Sequence, residues 1–105
     1  MAQTPEGKVK SAVKKFLTGL GAWYCMPATG GYGTSGVPDF VVCYAGEFVA
    51  IETKAPGKLR NVSELQHRQI EAIHKAGGRA VVVDDVSQLA AVFSNIDRTL
   101  QELLK

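Results

Sequence analysis

Residues 37–54, VPDFVVCYAGEFVAIETK, contain two runs of strand-forming residues separated by a short turn. Val37 to Tyr44 and Glu47 to Lys54 are both rich in Val, Phe, Tyr and Ile, the residues enriched in β-strands. Ala45-Gly46 between them matches the two-residue turn of a β-hairpin. The stretch therefore predicts an antiparallel hairpin at the centre of the fold.

The turn also fixes which residues of the two strands face each other. With Tyr44 opposite Glu47, counting outward in pairs places Asp39 opposite Glu52, with their Cβ atoms about 5 Å apart. Lys54 lies two residues beyond Glu52 and is therefore predicted on the same face of the sheet. Two carboxylates and one ammonium group are expected to converge, although a shift of one residue in register would move Asp39 to the other face.

The segments around the hairpin predict the remaining elements. They are a helix that begins after Thr4 and ends at Gly19–Gly21, a short strand at 22–28, a glycine-rich loop at 29–36, a loop at 56–61, a helix from Ser63 to Lys75, a buried strand at 79–84 and a last helix opened by Ser87. A right-handed crossover makes the fourth strand parallel to the third. We therefore expect an α/β fold: an αβββαβ core with a mixed four-stranded sheet flanked by helices, plus a C-terminal helix.

Composition narrows the class of protein without indicating a function. The chain has 105 residues, 46% hydrophobic and 21% charged, which predicts one globular domain over residues 1–105. The net charge of +2 is too small to indicate nucleic-acid binding by itself. No apolar stretch predicts a membrane span or a secretory signal, so a cytoplasmic location is expected. Cys25 and Cys43 are expected to be buried thiols in a reducing compartment.

The predicted trio has the composition of a site for phosphodiester hydrolysis. Paired carboxylates favour a hard cation such as Mg²⁺ or Mn²⁺, and the backbone carbonyl of Thr53 offers a further oxygen ligand. Lys54 is placed to polarise a water molecule or to neutralise charge on a phosphoryl oxygen. The alternative is an ordinary surface salt bridge between Lys54 and one of the acids, Asp39 or Glu52.

The segment Gly36-Val37-Pro38-Asp39, followed by Glu52-Thr53-Lys54, resembles the signature of the PD-(D/E)XK nucleases, which share a restriction-endonuclease-like core. With Gln66 at the start of the next helix, the chain is similar to the VRR-NUC branch, the virus-type replication-repair nucleases. The resemblance implies that Asp39 and Glu52 bind the metal, that Lys54 assists the attacking water, and that Gln66 orients water or phosphate. It also implies an acidic residue of the first helix near the metal, a position that Glu6 fits.

The resemblance further implies a metal-dependent DNA endonuclease, a hydrolase acting on ester bonds with Mg²⁺ or Mn²⁺. Standalone members of the branch are associated with branched DNA such as four-way (Holliday) junctions, and they act as homodimers. The occurrence of standalone copies in the family suggests a phage or bacterial origin, and therefore a location in the cytoplasm of a bacterial or phage-infected cell. Two alternatives stay open: a non-catalytic nucleic-acid-binding domain of the same fold, and a small interaction module that uses the C-terminal helix.

Several further residues have two interpretations each. Gln66 is also the partner expected for Ser63 in a helix capping box, and Glu6 also suits the positive end of a helix dipole. The candidates for DNA contact, for each of which a surface or loop role is the alternative, are Tyr32, Ser35, Lys58, Arg60, Lys14 and Lys15. The spacing of His67 and His74 does not predict a zinc site. The glycine-rich loop lacks the G-K-[ST] of a nucleotide-binding site, so no nucleotide cofactor is expected.

Overall fold

The structure, a computed structural model, describes residues 3–28 and 33–104. Its elements are helix α1 (Pro5–Leu20), strands β1 (Trp23–Cys25), β2 (Phe40–Tyr44) and β3 (Glu47–Thr53), helix α2 (Glu64–Lys75), strand β4 (Arg79–Val83), a 3₁₀ turn (Val86–Gln88) and helix α3 (Leu89–Leu103). This order is the predicted one.

The strands form one mixed sheet in the order β1-β2-β3-β4. The first three are antiparallel neighbours, whereas β4 runs parallel to β3 because the chain crosses over through α2. The sheet and its flanking helices confirm the predicted α/β fold. No helix in the described ranges is both long enough and apolar enough to cross a bilayer.

The hairpin has the predicted register. Tyr44 pairs with Glu47, and the ladder continues to Phe40 opposite Ile51. Ala45 and Gly46 both have positive φ angles, 51° and 80°, as a turn that matches the strand twist requires.

Several predicted boundaries differ from the structure, among them the first strand, which spans Trp23–Cys25 rather than 22–28, and two of the differences have clear local reasons. Strand β2 begins at Phe40 rather than at Val37, because Pro38 has no N–H and the Asp39 N–H donates to the Glu52 side chain instead of the ladder. The prediction that Ser87 opens the last helix is wrong. Asp85 caps a 3₁₀ turn by accepting from the Ser87 N–H at 2.9 Å, and α3 follows at Leu89.

The core lies between the sheet and the pair α1 and α3. Because side chains alternate along a strand, β2 and β3 direct every second residue towards these helices. The buried cluster consists of Val9, Val13, Leu17, Phe40, Val42, Val49, Ile51, Val83, Leu89, Phe93 and Ile96. This packing anchors the strands whose ends carry the predicted site.

The opposite face of the sheet is only partly covered. Helix α2 packs there beside β4, whereas the outer positions of β1 and β2 face solvent. Cys25 and Cys43 occupy two of those outer positions and are exposed free thiols, so the prediction that they are buried is wrong. Their residue type suited a core, but the alternation of the strands places them outward.

Candidate active site

The predicted site residues meet at the end of the sheet where β2 begins and β3 ends. Because these strands are antiparallel, Asp39, just before β2, lies beside Glu52 and Thr53 at the end of β3. Helix α1 contributes residues from one side of the sheet, and the first turn of α2 contributes residues from the other. The site therefore draws on four elements of the fold.

Asp39 is held by Thr53 and by a lysine of α1. Its Oδ2 accepts from the Thr53 N–H at 3.0 Å and from the Thr53 Oγ1 at 2.6 Å, and lies 3.6 Å from Lys10 Nζ. Burial alone would raise the pKa of Asp39, but the Thr53 hydrogen bonds and the Lys10 charge hold that pKa below its usual value. Asp39 is therefore ionised at neutral pH.

Glu52 lies deeper, with 3% of its surface exposed. Its Oε1 accepts from the Asp39 N–H at 3.2 Å, and its Oε2 accepts from the Gln66 side-chain amide. Burial, together with the neighbouring Asp39 charge, raises the pKa of Glu52 to about 7, and Lys54 offsets only part of this rise. The two acids thus have pKa values displaced in opposite directions.

Lys54 is 8% exposed and is fixed from two sides. Its Nζ donates to Gln66 Oε1 at 3.0 Å and lies 3.6 Å from Glu52 Oε2. Its backbone N–H donates to the Val83 carbonyl at 2.8 Å, which attaches the end of β3 to β4. A buried ammonium in fixed contacts differs from the solvated lysine of a surface salt bridge.

Gln66 completes the predicted capping box and also contacts two charged residues of the site. It completes the capping box of α2, since its Oε1 accepts from the Ser63 N–H at 3.0 Å and Ser63 Oγ accepts from the Gln66 N–H at 3.1 Å. The same side chain bridges Glu52 and Lys54. The cap therefore holds the amide in the orientation that the two charged groups need.

Glu6 lies near the acids but is paired with a lysine. Its Oε2 accepts from Lys10 Nζ at 3.0 Å, and Lys10 in turn approaches Asp39. Neither Lys10 nor the Thr53 side chain was among the predicted site residues. The spacing of four residues between Glu6 and Lys10 on one helix was a usable signal for Lys10, but nothing in the sequence indicates the Thr53 hydroxyl.

The candidates for DNA contact lie outside this cluster. Lys58 and Arg60 are exposed and line a cleft of about 630 Å³ in the loop after β3. Lys14 and Lys15 are exposed on α1, and Ser35 is exposed in the turn before Pro38. Tyr32 falls outside the described residues.

A buried Glu52, a half-buried Asp39 and a fixed Lys54, at the end of a mixed sheet flanked by helices, form the arrangement expected of a nuclease-family α/β domain. The comparison with solved structures agrees. One structure described as "VRR_NUC domain" is 27% identical, has a TM-score of 0.69, and the match covers 88% of this chain and 97% of that chain.

A second structure, described as "VRR_NUC domain protein", is 18% identical with a TM-score of 0.69, and the match covers 90% of this chain and 89% of the other. At that identity the match supports the fold alone. No family model matches the sequence, and no curated protein matches it significantly. The 27% match, together with the GVPD and ETK segments, supports the resemblance of this chain to VRR-NUC domains.

Proposed function

We propose that this protein is a divalent-metal-dependent DNA endonuclease that hydrolyses phosphodiester bonds. The observation that carries the proposal is the joining of Asp39, Glu52 and Lys54 into one hydrogen-bonded cluster at the end of the sheet. The alternative of a surface salt bridge is disfavoured, because Glu52 and Lys54 are 3% and 8% exposed. Burying these charges costs free energy, which favours a functional reason for their presence.

The donor set suits a hard cation. Asp39 and Glu52 supply carboxylate oxygens, and a cation between them would offset the burial and the Asp39 charge that together raise the pKa of Glu52. In the described ranges, no group of three or more His, Cys, Asp or Glu side chains is arranged to hold a metal. Further ligands would therefore be water, the Thr53 carbonyl or a reoriented Glu6, as Mg²⁺ or Mn²⁺ accepts. When bound, such an ion acidifies water and stabilises negative charge on phosphoryl oxygens.

The residues around the acids would orient the reacting groups. Lys54, held by Gln66 at 3.0 Å, offers a fixed positive charge for the attacking water or for a phosphoryl oxygen. Gln66 also keeps the Glu52 carboxylate turned towards Asp39, and Thr53 does the same for Asp39 through two hydrogen bonds. Thr53 and Gln66 thus preorganise the acids before substrate arrives.

DNA would approach the end of the sheet where β2 begins and β3 ends, because the site lies there. Lys58 and Arg60 lie in the loop that follows β3 and Lys54, where they line a cleft together with Asp84. We propose that these two side chains bind phosphates, with Lys14, Lys15 and Ser35 as further contacts and Tyr32 as a stacking group. Such contacts position the backbone without reading sequence, which fits an enzyme selective for DNA structure such as a four-way junction.

A second copy of the chain would make paired incisions possible. Helix α3 carries an apolar stripe that is buried at Phe93 and Ile96 but continues into solvent at Leu100 and Leu103, which are 40% and 78% exposed. We propose that this continuation packs against its two-fold equivalent in a homodimer. Two sites related by two-fold symmetry match the two strands of a symmetrical junction.

A cleavage assay tests the proposed reaction. Purified protein is incubated with labelled duplex, single-stranded and four-way junction DNA, with Mg²⁺, Mn²⁺ or a chelator. We expect metal-dependent cleavage that favours the junction. Asp39→Asn and Lys54→Ala should each reduce the rate by at least about 100-fold, because they remove a metal ligand and a fixed charge.

Lys75→Ala serves as the matched control. Lys75 is an exposed lysine in the last turn of α2, at the end of the helix away from Gln66, and its loss should leave the rate unchanged. Cleavage that persists in chelator, or at wild-type rates in both site variants, would refute the mechanism. Junction binding without any product would instead favour a non-catalytic nucleic-acid-binding domain.

A further inference from the structure

Lys10 is a charged residue of the cluster to which neither a metal ligand nor a reacting group has been assigned. It lies in α1, one turn after Glu6, and its Nζ is 3.0 Å from Glu6 Oε2 and 3.6 Å from Asp39 Oδ2. Only 27% of its side chain is exposed. Its ammonium therefore lies between two carboxylates, beside one of the two acids that would bind the cation.

The electrostatics keep this ammonium charged. Burial alone would lower the pKa of Lys10, but Glu6 and Asp39 together raise that pKa above its usual value. Lys54 has the corresponding place beside Glu52 on the other side of the site, where it also donates to Gln66. Each proposed metal-binding acid therefore has its own ammonium, Asp39 with Lys10 and Glu52 with Lys54.

We propose that Lys10 is an internal counter-cation that competes with the divalent ion for Asp39 and so sets the affinity of the site for metal. The inference rests on the proposed function for the presence of that ion. A divalent cation on Asp39 and an ammonium within a few ångströms repel each other, which weakens binding or forces the ammonium away. Glu6, one helical turn before Lys10, gives the displaced ammonium a partner, so it remains close to the site.

Titration calorimetry with Mn²⁺ alone, without DNA, at pH 8 tests this proposal. Lys10→Met removes the competing charge, and we expect it to bind Mn²⁺ about tenfold more tightly than wild type. Lys10→Arg keeps the charge and should retain wild-type affinity. Lys75→Met lowers the net charge by the same amount, but at a position far from the acids. Its affinity for Mn²⁺ should therefore stay within about twofold of wild type.

The outcomes separate this inference from the proposed function. Binding to wild type with equal or weaker binding to Lys10→Met overturns the role of Lys10 and leaves metal dependence standing. No binding to wild type or to Lys10→Met overturns both. Far-UV circular dichroism establishes that each variant is folded, and Lys10→Gln carries the same expectation if Lys10→Met does not fold.

Discussion

Glu52 and Asp39 are neighbouring carboxyl groups that respond oppositely to their surroundings. Glu52 is buried beside a negative charge, so the neutral form is favoured and its pKa rises to about 7. Asp39 faces the Glu52 carboxyl group in turn, but Thr53 and Lys10 stabilise the charged form of Asp39 and lower its pKa. At neutral pH the pair therefore carries between one and two negative charges, and a cation binding there would displace the Glu52 proton.

The binding of divalent ions should consequently depend on pH. Below about pH 7 the ion must displace a proton from Glu52, so Mn²⁺ affinity should rise roughly tenfold per pH unit and then level off. Glu52→Gln should bind Mn²⁺ weakly at every pH. Calorimetric titrations between pH 5.5 and 8.5 measure both effects. An affinity for wild type that is constant over this range would contradict the assignment of Glu52.

The same group gives the metal-free protein an unusual stability profile. The pKa of Glu52 is about 7 in the folded chain against an ordinary 4.5, so the folded state holds a proton that the unfolded state has lost between these values. The contribution of Glu52 to stability is complete below pH 4.5 and is lost as the pH rises to 7. Asp39 acts oppositely, in a window below its ordinary 3.8.

At the scale of elements, Gly36, at the end of the glycine-rich loop, packs against the backbone of the first turn of helix α2. It has a φ of +77°, and a Cβ on it would lie 2.6 Å from the carbonyl carbon and oxygen of Leu65 and 2.9 Å from the Gln66 nitrogen. The contacting atoms are backbone and cannot rotate away. Gly36 is therefore required twice, for its φ and for the close approach to the turn that holds Gln66.

Substitution of Gly36 should separate these two requirements. Gly36→Ala adds backbone overlap to the φ strain. Gly33→Ala, with a φ of +104° and no non-adjacent atom of the described residues within 4 Å of the added Cβ, adds the strain alone. We expect Gly36→Ala to lower the free energy of unfolding by at least about 2 kcal/mol more than Gly33→Ala. Urea unfolding of both variants measures the difference, and equal losses would refute the close approach.

The elements show which features the sequence could predict and which it could not. The hairpin register depends on neighbours in the chain, so Asp39, Glu52 and Lys54 could be placed together from their spacing. The capping box of α2 could be predicted in the same way, but only the family resemblance placed Gln66 at the site. The contact of Lys10 with Asp39 depends on how α1 packs on the sheet. Spacing along the chain carries no information about that packing.

At the scale of the whole molecule, the fold places the proposed catalytic residues at one end of the sheet and leaves apolar surface exposed elsewhere. Among the described residues, two exposed apolar regions are candidates for the interface of the proposed homodimer: the end of α3 with Leu100 and Leu103, and the outer sheet face with Trp23 and Phe48, which are 62% and 42% exposed. We favour α3, because its exposed residues continue a stripe that is already buried in the core, and because a helix pairs readily about a two-fold axis.

The end of α3 can be altered without disturbing the core, since Leu103 is 78% exposed and lies two turns beyond the buried Ile96. Leu103→Glu would place two like charges at the proposed two-fold contact, so we expect light scattering with size-exclusion chromatography to show a dimer for wild type and a monomer for the variant. The monomer should still nick duplex DNA. It should lose paired incision of a four-way junction, because each monomer carries a single site. Trp23→Glu is the matched control on the competing surface and should remain dimeric. A dimer that survives Leu103→Glu but dissociates in Trp23→Glu would place the interface on the sheet, and a monomeric wild type would exclude paired cutting by a stable dimer.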